Sequence, residues 1–319
     1  LHLTWESYNS SFKGNICLLL DKYKGRIKTY IKNIDDHPNS RVEFPSSKII
    51  ISALNDYNNQ VINSPISIKV VSNGLEHYKV NNRHYKLKSN NYLIVNSSDE
   101  FEVEVKTNNI TNGICIYPPK SLINEVLNYR LTSENELLEA EGFNRNEIKF
   151  TQKNNSLTDN TTGLFIKNHL PHFLNSGDFN NLYVKLAEHL VHDQLKLNRQ
   201  LLNLNSSKKQ TKEELYRRLS EAKDYIHANY DQKIIIEDLA TIACLSKYHF
   251  LRSFRDFYKC TPYQYILKLK LDAAKKLLKK GFSFHQTTEM IGFSDPKNLR
   301  KAIGRLSCLL YTSDAADEE

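Results

Sequence analysis

The chain has little of what would place it in a membrane or outside the cell. No apolar run approaches the roughly 18–20 residues that a membrane-crossing helix needs; the best candidates, residues 16–20 and 49–51, are far shorter. No basic segment leading into an apolar core opens the sequence, whose first residue is Leu1. The expectation is a cytoplasmic protein whose text begins inside a longer reading frame. Cysteine is sparse and scattered: Cys17, Cys115, Cys244, Cys260 and Cys308 have no paired spacing that would suggest zinc or a disulfide framework. Also missing are a glycine-rich phosphate loop, a nucleophile elbow and a paired-carboxylate motif. No His-x-His pair is present to hold a metal in a barrel. His77 and His84 are seven residues apart, which in regular strands would put them on opposite faces unless the turn between them changes that. No enzyme activity, metal or cofactor is expected.

What is present is a chain of 319 residues, 40% apolar and 25% charged, which is ordinary globular composition for about two domains. The net charge of +8 is uneven. Residues 211–306 carry 19 Lys/Arg against 11 Asp/Glu, residues 1–210 carry 25 against 21, and the last thirteen carry four acids and no base. A basic block of this kind suggests a polyanion partner.

Three regimes follow one another. From about Ser40 to Pro118 short apolar or alternating runs (Ile66-Ser67-Ile68-Lys69-Val70-Val71, Tyr92-Leu93-Ile94-Val95, Phe101-Glu102-Val103-Glu104-Val105) are separated by turn residues, which predicts a small antiparallel sandwich or barrel. Val80-Asn81-Asn82-Arg83 predicts a hairpin, because Asn tolerates positive φ. Tyr78, Tyr85, Tyr92 and Phe101 are expected to fill that barrel rather than line a pocket. From Pro118 the period becomes helical at Leu122, Val126 and Leu127, and again at Leu182, Leu186, Ala187, Leu190, Val191 and Leu195. The second stripe is either a self-association surface or the core face of its own domain. Residues 153–162 are polar and read as a loop, and residues 205–210 as an interdomain linker.

From Lys212 nearly everything is helical. Ser246 is placed to cap a helix, and Thr261-Pro262 opens another. Gly281 is placed to end that helix, Ser283 with Gln286 makes a capping box, and Asp295-Pro296 repeats the cap-plus-proline start. Leu239, Ala243, Leu245, Phe250 and Phe254 would share a core, and Ala240 and Ala243 are small enough for two helices to cross closely, as a helix-turn-helix requires. With the two phenylalanines inward, Tyr248, Leu251, Arg252 and Arg255 fall on the open side. Arginine there can grip guanine O6/N7, and tyrosine or leucine a thymine methyl.

At Phe254-Arg255, Thr261-Pro262-Tyr263-Gln264-Tyr265-Ile266 and Gly292-Phe293-Ser294-Asp295 the sequence resembles the AraC/XylS family of bacterial transcription regulators, over about residues 211–306. The resemblance implies two helix-turn-helix units joined by a long helix. Their DNA-contacting residues would be Lys247, Tyr248, Leu251, Arg252 and Arg255 in the first unit, and Lys297, Asn298, Arg300 and Lys301 in the second. It further implies a cupin-like β-barrel before the DNA reader, with residues 74–87 as a barrel hairpin, and trailing helices that dimerise. The expected class is α+β. The expected domains are a regulatory domain over residues 1–118, a helical segment over 119–204, a linker over 205–211 and the double helix-turn-helix over 212–307. Double-stranded DNA, RNA polymerase, a small-molecule effector and a second copy of the chain are the partners implied.

Three departures from the family pattern stand out. Lys259 occupies a position where glycine is usual, and Thr287 and Thr288 replace an aliphatic–Ala pair. Leu299 and Ile303 stand where Phe is common, which weakens the expectation of base reading by the second unit. After Ser307 the text resembles one frame of a sequencing adapter, so residues 308–319 are expected to be a non-native tail. The function expected is a sequence-specific regulator, more often an activator in this family, controlled by its N-terminal domain. Alternatives are a regulator whose N-terminal domain binds a protein partner, and a metal-dependent cupin enzyme with a DNA-binding appendage.

Overall fold

The structure, a computed structural model, describes residues 30–35, 47–133, 148–204, 209–293 and 295–304; the expected tail at 308–319 lies outside them. The chain divides into two compact units, residues 1–197 and 198–319. Together they form an α+β protein, with a curled, largely antiparallel sheet in the first unit and helices only in the described part of the second. Among the described residues no helix is long and apolar enough to cross a membrane.

The first unit contains β1 (Tyr30–Asp35), β2 (Lys48–Val61), β3 (Ser67–Asn73), β4 (Leu75–Val80), β5 (Arg83–Lys88), β6 (Asn91–Val95), β7 (Phe101–Tyr117) and β8 (Asn155–Ser156). Their order is β1-β2-β7-β3-β6-β8, with β4 paired to both β5 and β7. Among the described strands only the β1–β2 pair is parallel. The long β2–β7 ribbon is bent by a large irregularity. Leu54 pairs with Thr111 and Asp56 with Lys106, so residues 107–110 stand opposite Asn55 alone. An unpaired insertion of this kind sharpens the local twist, and here β7 leaves β3 and takes up β4. The Asn81-Asn82 turn closes the β4–β5 hairpin as expected, both residues having positive φ (47° and 65°).

The sheet is apolar on both faces. One face carries Ile49, Ile68, Val70, Tyr92, Ile94 and Ile116 and is covered by helices α1 (Lys120–Ser133), α2 (Thr161–Ser176) and α3 (Phe179–Leu202). The other curls around Val71, Tyr78, Val80, Tyr85, Leu87, Leu93, Val95, Phe101 and Val103. Tyr78, Tyr85 and Phe101 thus fill the inner face, while Tyr92 belongs to the helical side.

The stripe Leu182, Leu186, Ala187, Leu190, Val191 and Leu195 is buried in that same helix–sheet core. Of the two roles the sequence leaves open for it, the geometry selects the domain's own core. Residues 153–162 are not a free loop. Asn155 and Ser156 pair with β6 as β8, Leu157 is buried, and Thr161 opens α2. Asn160 caps α2 by accepting from Gly163 N, and Gly177 ends it in the left-handed region. The helical segment expected over residues 119–204 includes α2 without singling it out, and the helix carries Pro171 inside it.

In the second unit helix α4 (Lys209–Asn229) leads to α5 (Ile236–Ile242), α6 (Lys247–Tyr258), α7 (Pro262–Lys279), α8 (Phe284–Met290) and a last helix, α9, described over residues 296–304. Its first turn includes Lys209, Gln210 and Thr211, which the sequence reading places in the linker. Gly281 follows the end of α7 with φ 91°, and the capping boxes of Thr261/Gln264 and Ser283/Gln286 are both formed.

Candidate nucleic-acid interface

The two helix-turn-helix units share one local design. In the first, α5 ends at Ala243, Cys244 takes φ 50°, and Leu245 N donates back to Ala240 O at 2.9 Å. In the second, Gly292 takes φ 63° and Phe293 N donates to Thr288 O at 3.0 Å. The same six-to-one hydrogen bond therefore closes both turns. Each turn is also braced by a cation. Arg218 Nη1 donates to Cys244 O at 3.1 Å, and Lys270 Nζ to Gly292 O at 2.8 Å. A Cβ on Gly292 would stand 1.8 Å from Asp231 O, so only glycine fits where that turn meets the α4–α5 connection.

Helix α6 is anchored from beneath. Phe250, Phe254 and Phe257 are buried, with Leu239, Ala240 and Ala243 of the preceding helix and turn; Leu245 is only half-buried. Ser246 caps the helix by accepting from His249 N. Its other face is open: Tyr248 is 86% exposed, Lys247, Arg252 and Arg255 are exposed, and Leu251 is half-buried. Two of these carry local partners. Lys247 Nζ donates to Glu237 Oε1 at 2.6 Å, a contact between two exposed side chains that raises the lysine's pKa and lowers the carboxyl's. Arg252 Nε lies 3.8 Å from Asp256 Oδ2, too long for a hydrogen bond, which leaves the guanidinium able to turn outward.

Two comparisons bear on this arrangement. The helix-turn-helix domain family matches residues 239–309. The probable transcriptional regulator LumQ of Photobacterium leiognathi is 31% identical over 84 residues, covering 26% of this chain and 34% of that protein. The uncharacterized HTH-type transcriptional regulator YbfI of Bacillus subtilis is 32% identical over 76 residues, covering 24% and 28%. The C-terminal unit is an AraC-type helix-turn-helix domain. A transcriptional regulator of Chromobacterium violaceum described as AraC-type is 26% identical over 27% of this chain and 78% of its own, with a TM-score of 0.26. The chain spans about a third of the length of the curated relatives it matches.

Within the AraC-type domain the second unit differs from the first. Lys297, Asn298, Arg300 and Lys301 are all exposed on α9. Asn298, however, completes the cap of its own helix: its backbone N donates to Asp295 Oδ1 at 2.9 Å and its Nδ2 to Asp295 Oδ2 at 2.7 Å. The Arg300 guanidinium lies 4.9 Å from the centroid of the Phe284 ring, a cation–π contact with α8. Beneath them Leu299 is buried with Leu271, Ala274 and Ile291. Thr287 is fully buried with no partner for its hydroxyl, while Thr288 Oγ1 donates to Phe284 O at 2.6 Å. Arg218 and Lys270, which brace the two turns, are the residues of this arrangement that sequence reasoning missed. The two braces leave no sequence signature, since each reaches a backbone carbonyl more than twenty residues away. The sequence reading places Asp295 as the cap but gives Asn298 to DNA contact, without joining the two.

Proposed function

We propose that the chain is a sequence-specific, double-stranded-DNA-binding transcription regulator of the bacterial cytoplasm. In this reading the N-terminal half-barrel controls the reader by sensing a small effector or by self-association. The observation that carries it is the open face of α6 in an AraC-type domain: an aromatic, a guanidinium and an aliphatic side chain held outward by a capped helix whose other face is locked in the core. Tyr248, Leu251 and Arg252 read base edges in the major groove, with Lys247 and Arg255 on flanking phosphates. The α7 helix, 18 residues and so about 27 Å long, spaces α9 toward the next major groove, about 34 Å on. There Lys297 and Lys301 grip phosphate, while Asn298 and Arg300 stay with Asp295 and Phe284 and read little. Activation through RNA polymerase is the direction proposed for the regulated promoter.

The test is selection of bound sequences from random duplex DNA by the full chain. The expected outcome is one sharply defined block. Arg252→Ala should relax one position in it and cost about 1–3 kcal/mol, whereas Arg300→Ala should leave the motif unchanged. Salt-sensitive binding without any motif would sink the reading.

A further inference from the structure

The two helix-turn-helix units do not draw on one apolar cluster. The cluster beneath α9 is built from Leu271 and Ala274 of α7 with Ile291 and Leu299, and the half-buried residues packed against it all come from Leu267 onward. Among the described residues α4, α5 and α6 contribute nothing to it. The second unit is therefore carried on α7, whose N-terminal end is rooted in the first. There Tyr265 packs against Phe254 and Tyr258 of α6, and its hydroxyl shares a hydrogen bond with His227 Nε2 of α4 at 2.8 Å. A single helix is a weak lever. Rocking of about 10° over the roughly 27 Å of α7 would carry α9 by about 5 Å, more than the roughly 3.4 Å between successive phosphates of one strand along the DNA axis.

Against that rocking stands a joint where three segments distant in sequence meet. Asp231, just past the end of α4, sets its carbonyl so close to Gly292 that a Cβ there would stand 1.8 Å from Asp231 O and 2.9 Å from Asp231 C. Lys270 of α7 reaches the same glycine, Nζ donating to Gly292 O at 2.8 Å and lying 5.8 Å from the centroid of the Phe293 ring. The Asp231 carboxylate favours the Lys270 charge, against the burial that lowers its pKa. The end of α4, the middle of α7 and the turn of the second unit are thus pinned to one another. The brace in the first unit differs: Arg218, held by Glu214 Oε1 at 3.0 Å, reaches Cys244 O with both ends inside that unit. Arg218 orders its own turn, whereas Lys270 spans the two units.

We infer that Lys270 is a positioning residue for DNA binding. With Gly292 and Asp231 it locks α9 at a fixed place relative to α6, and so sets which phosphates Lys297 and Lys301 reach once α6 has found its bases. This deepens the DNA-binding reading proposed above and rests on it for the consequence, while the rigidity of the joint does not depend on DNA.

The rigidity is measured first, without DNA. Nitroxides are attached at positions 248 and 301 of the full chain through ketone side chains that leave the native cysteines unreacted, and their separation is read by pulsed electron resonance. The unsubstituted chain should give one narrow distance distribution and Lys270→Met a broadened or displaced one. Lys270→Arg, which keeps a donor of similar reach, should restore the narrow one. On the duplex selected by the unsubstituted chain, Lys270→Met should keep the same motif, weaken binding about ten-fold and lower the salt slope by about 1–2. In a chain already carrying Lys297→Ala and Lys301→Ala the same substitution should cost nothing more, because it acts through those two lysines. Should Lys270→Met fail to fold, Lys270→Gln carries the test, since it keeps a donor that is too short to reach Gly292 O. A role confined to stability would lower the urea midpoint and leave the distances and the salt slope unchanged, and that outcome overturns the proposal. A full further loss in the chain lacking both lysines overturns it as well. Absence of any motif would defeat the regulator reading alone, the distance measurement then deciding the joint by itself.

Discussion

Lys259 sits at the end of α6 with φ 59° and ψ 17°, in the left-handed region, its N–H closing the helix onto Arg255 O at 2.8 Å. For an L-residue with a Cβ that conformation costs about 1–2 kcal/mol, part of which glycine would return as chain entropy in the unfolded state. Lys259→Gly should therefore stabilise the second unit by about 0.5–1 kcal/mol, read as a shifted urea midpoint with an unchanged slope. The sequence already marks this residue, because the family pattern has glycine there. Cys244 adopts a similar φ, with Arg218 bound to its carbonyl. Nothing in the residue types announces that brace, and the same holds for Asn298 and Arg300. Their exposure on α9 could be anticipated, whereas their engagement by Asp295 and Phe284 depends on how the helices pack.

Among the elements, α2 shows how a helix the pattern leaves uncertain is fixed from outside. Its first turn is held by a residue of α3: the Asp193 carboxylate accepts from Thr161 N at 3.3 Å, Thr161 Oγ1 at 3.0 Å, Thr162 N at 2.8 Å and Thr162 Oγ1 at 2.7 Å. A carboxylate at a helix N-terminus meets both the orphan donors and the helix dipole. Asp193→Ala should destabilise the first unit by about 2–3 kcal/mol, with Asp193→Asn recovering part of it; an unchanged urea midpoint would refute that role. The strands were legible because alternation and Asn-rich turns are local signals. The tiny β8 was not, since two residues of edge pairing leave no period to read.

At the scale of the first unit, two neighbours on α3 titrate in opposite directions. His189 packs against Phe165 at 4.9 Å between ring centroids, and burial pushes its pKa down to about 4, against the pull of Asp193. Glu188 is buried too, and its carboxyl is pushed up to about 7 although Lys185 and Arg130 oppose this. The histidine's contribution is intact above its unfolded value near 6.5 and is lost as pH falls toward 4. The glutamate's is intact below its unfolded value near 4.5 and is lost as pH rises through 7. Between pH 4.5 and 6.5 the two slopes oppose, so the stability of the wild-type unit should be nearly flat there. Glu188→Gln should unmask the histidine, with stability climbing by about 2–3 kcal/mol over that window in urea titrations. A variant profile as flat as the wild type would contradict this.

The sequence by itself determined the C-terminal reader, because its signals are local: caps three residues apart, proline at a first turn, paired small residues, and phenylalanines at helical spacing that leave one face of α6 outward. It also determined that the N-terminal region is a sheet followed by helices, but not that β2 and β7 run on to 14 and 17 residues. Only the tertiary structure decided which apolar stripe is core, since the face of α3 offered for self-association is consumed by the sheet. Only it decided that Asn298 and Arg300 are held within the domain, and that Lys69 of β3 donates a hydrogen bond to the Tyr117 hydroxyl of β7, nearly fifty residues on in sequence. Local pattern fixes what a segment becomes, while long-range register and packing choose its neighbours, and the chemistry of a site belongs to the neighbours.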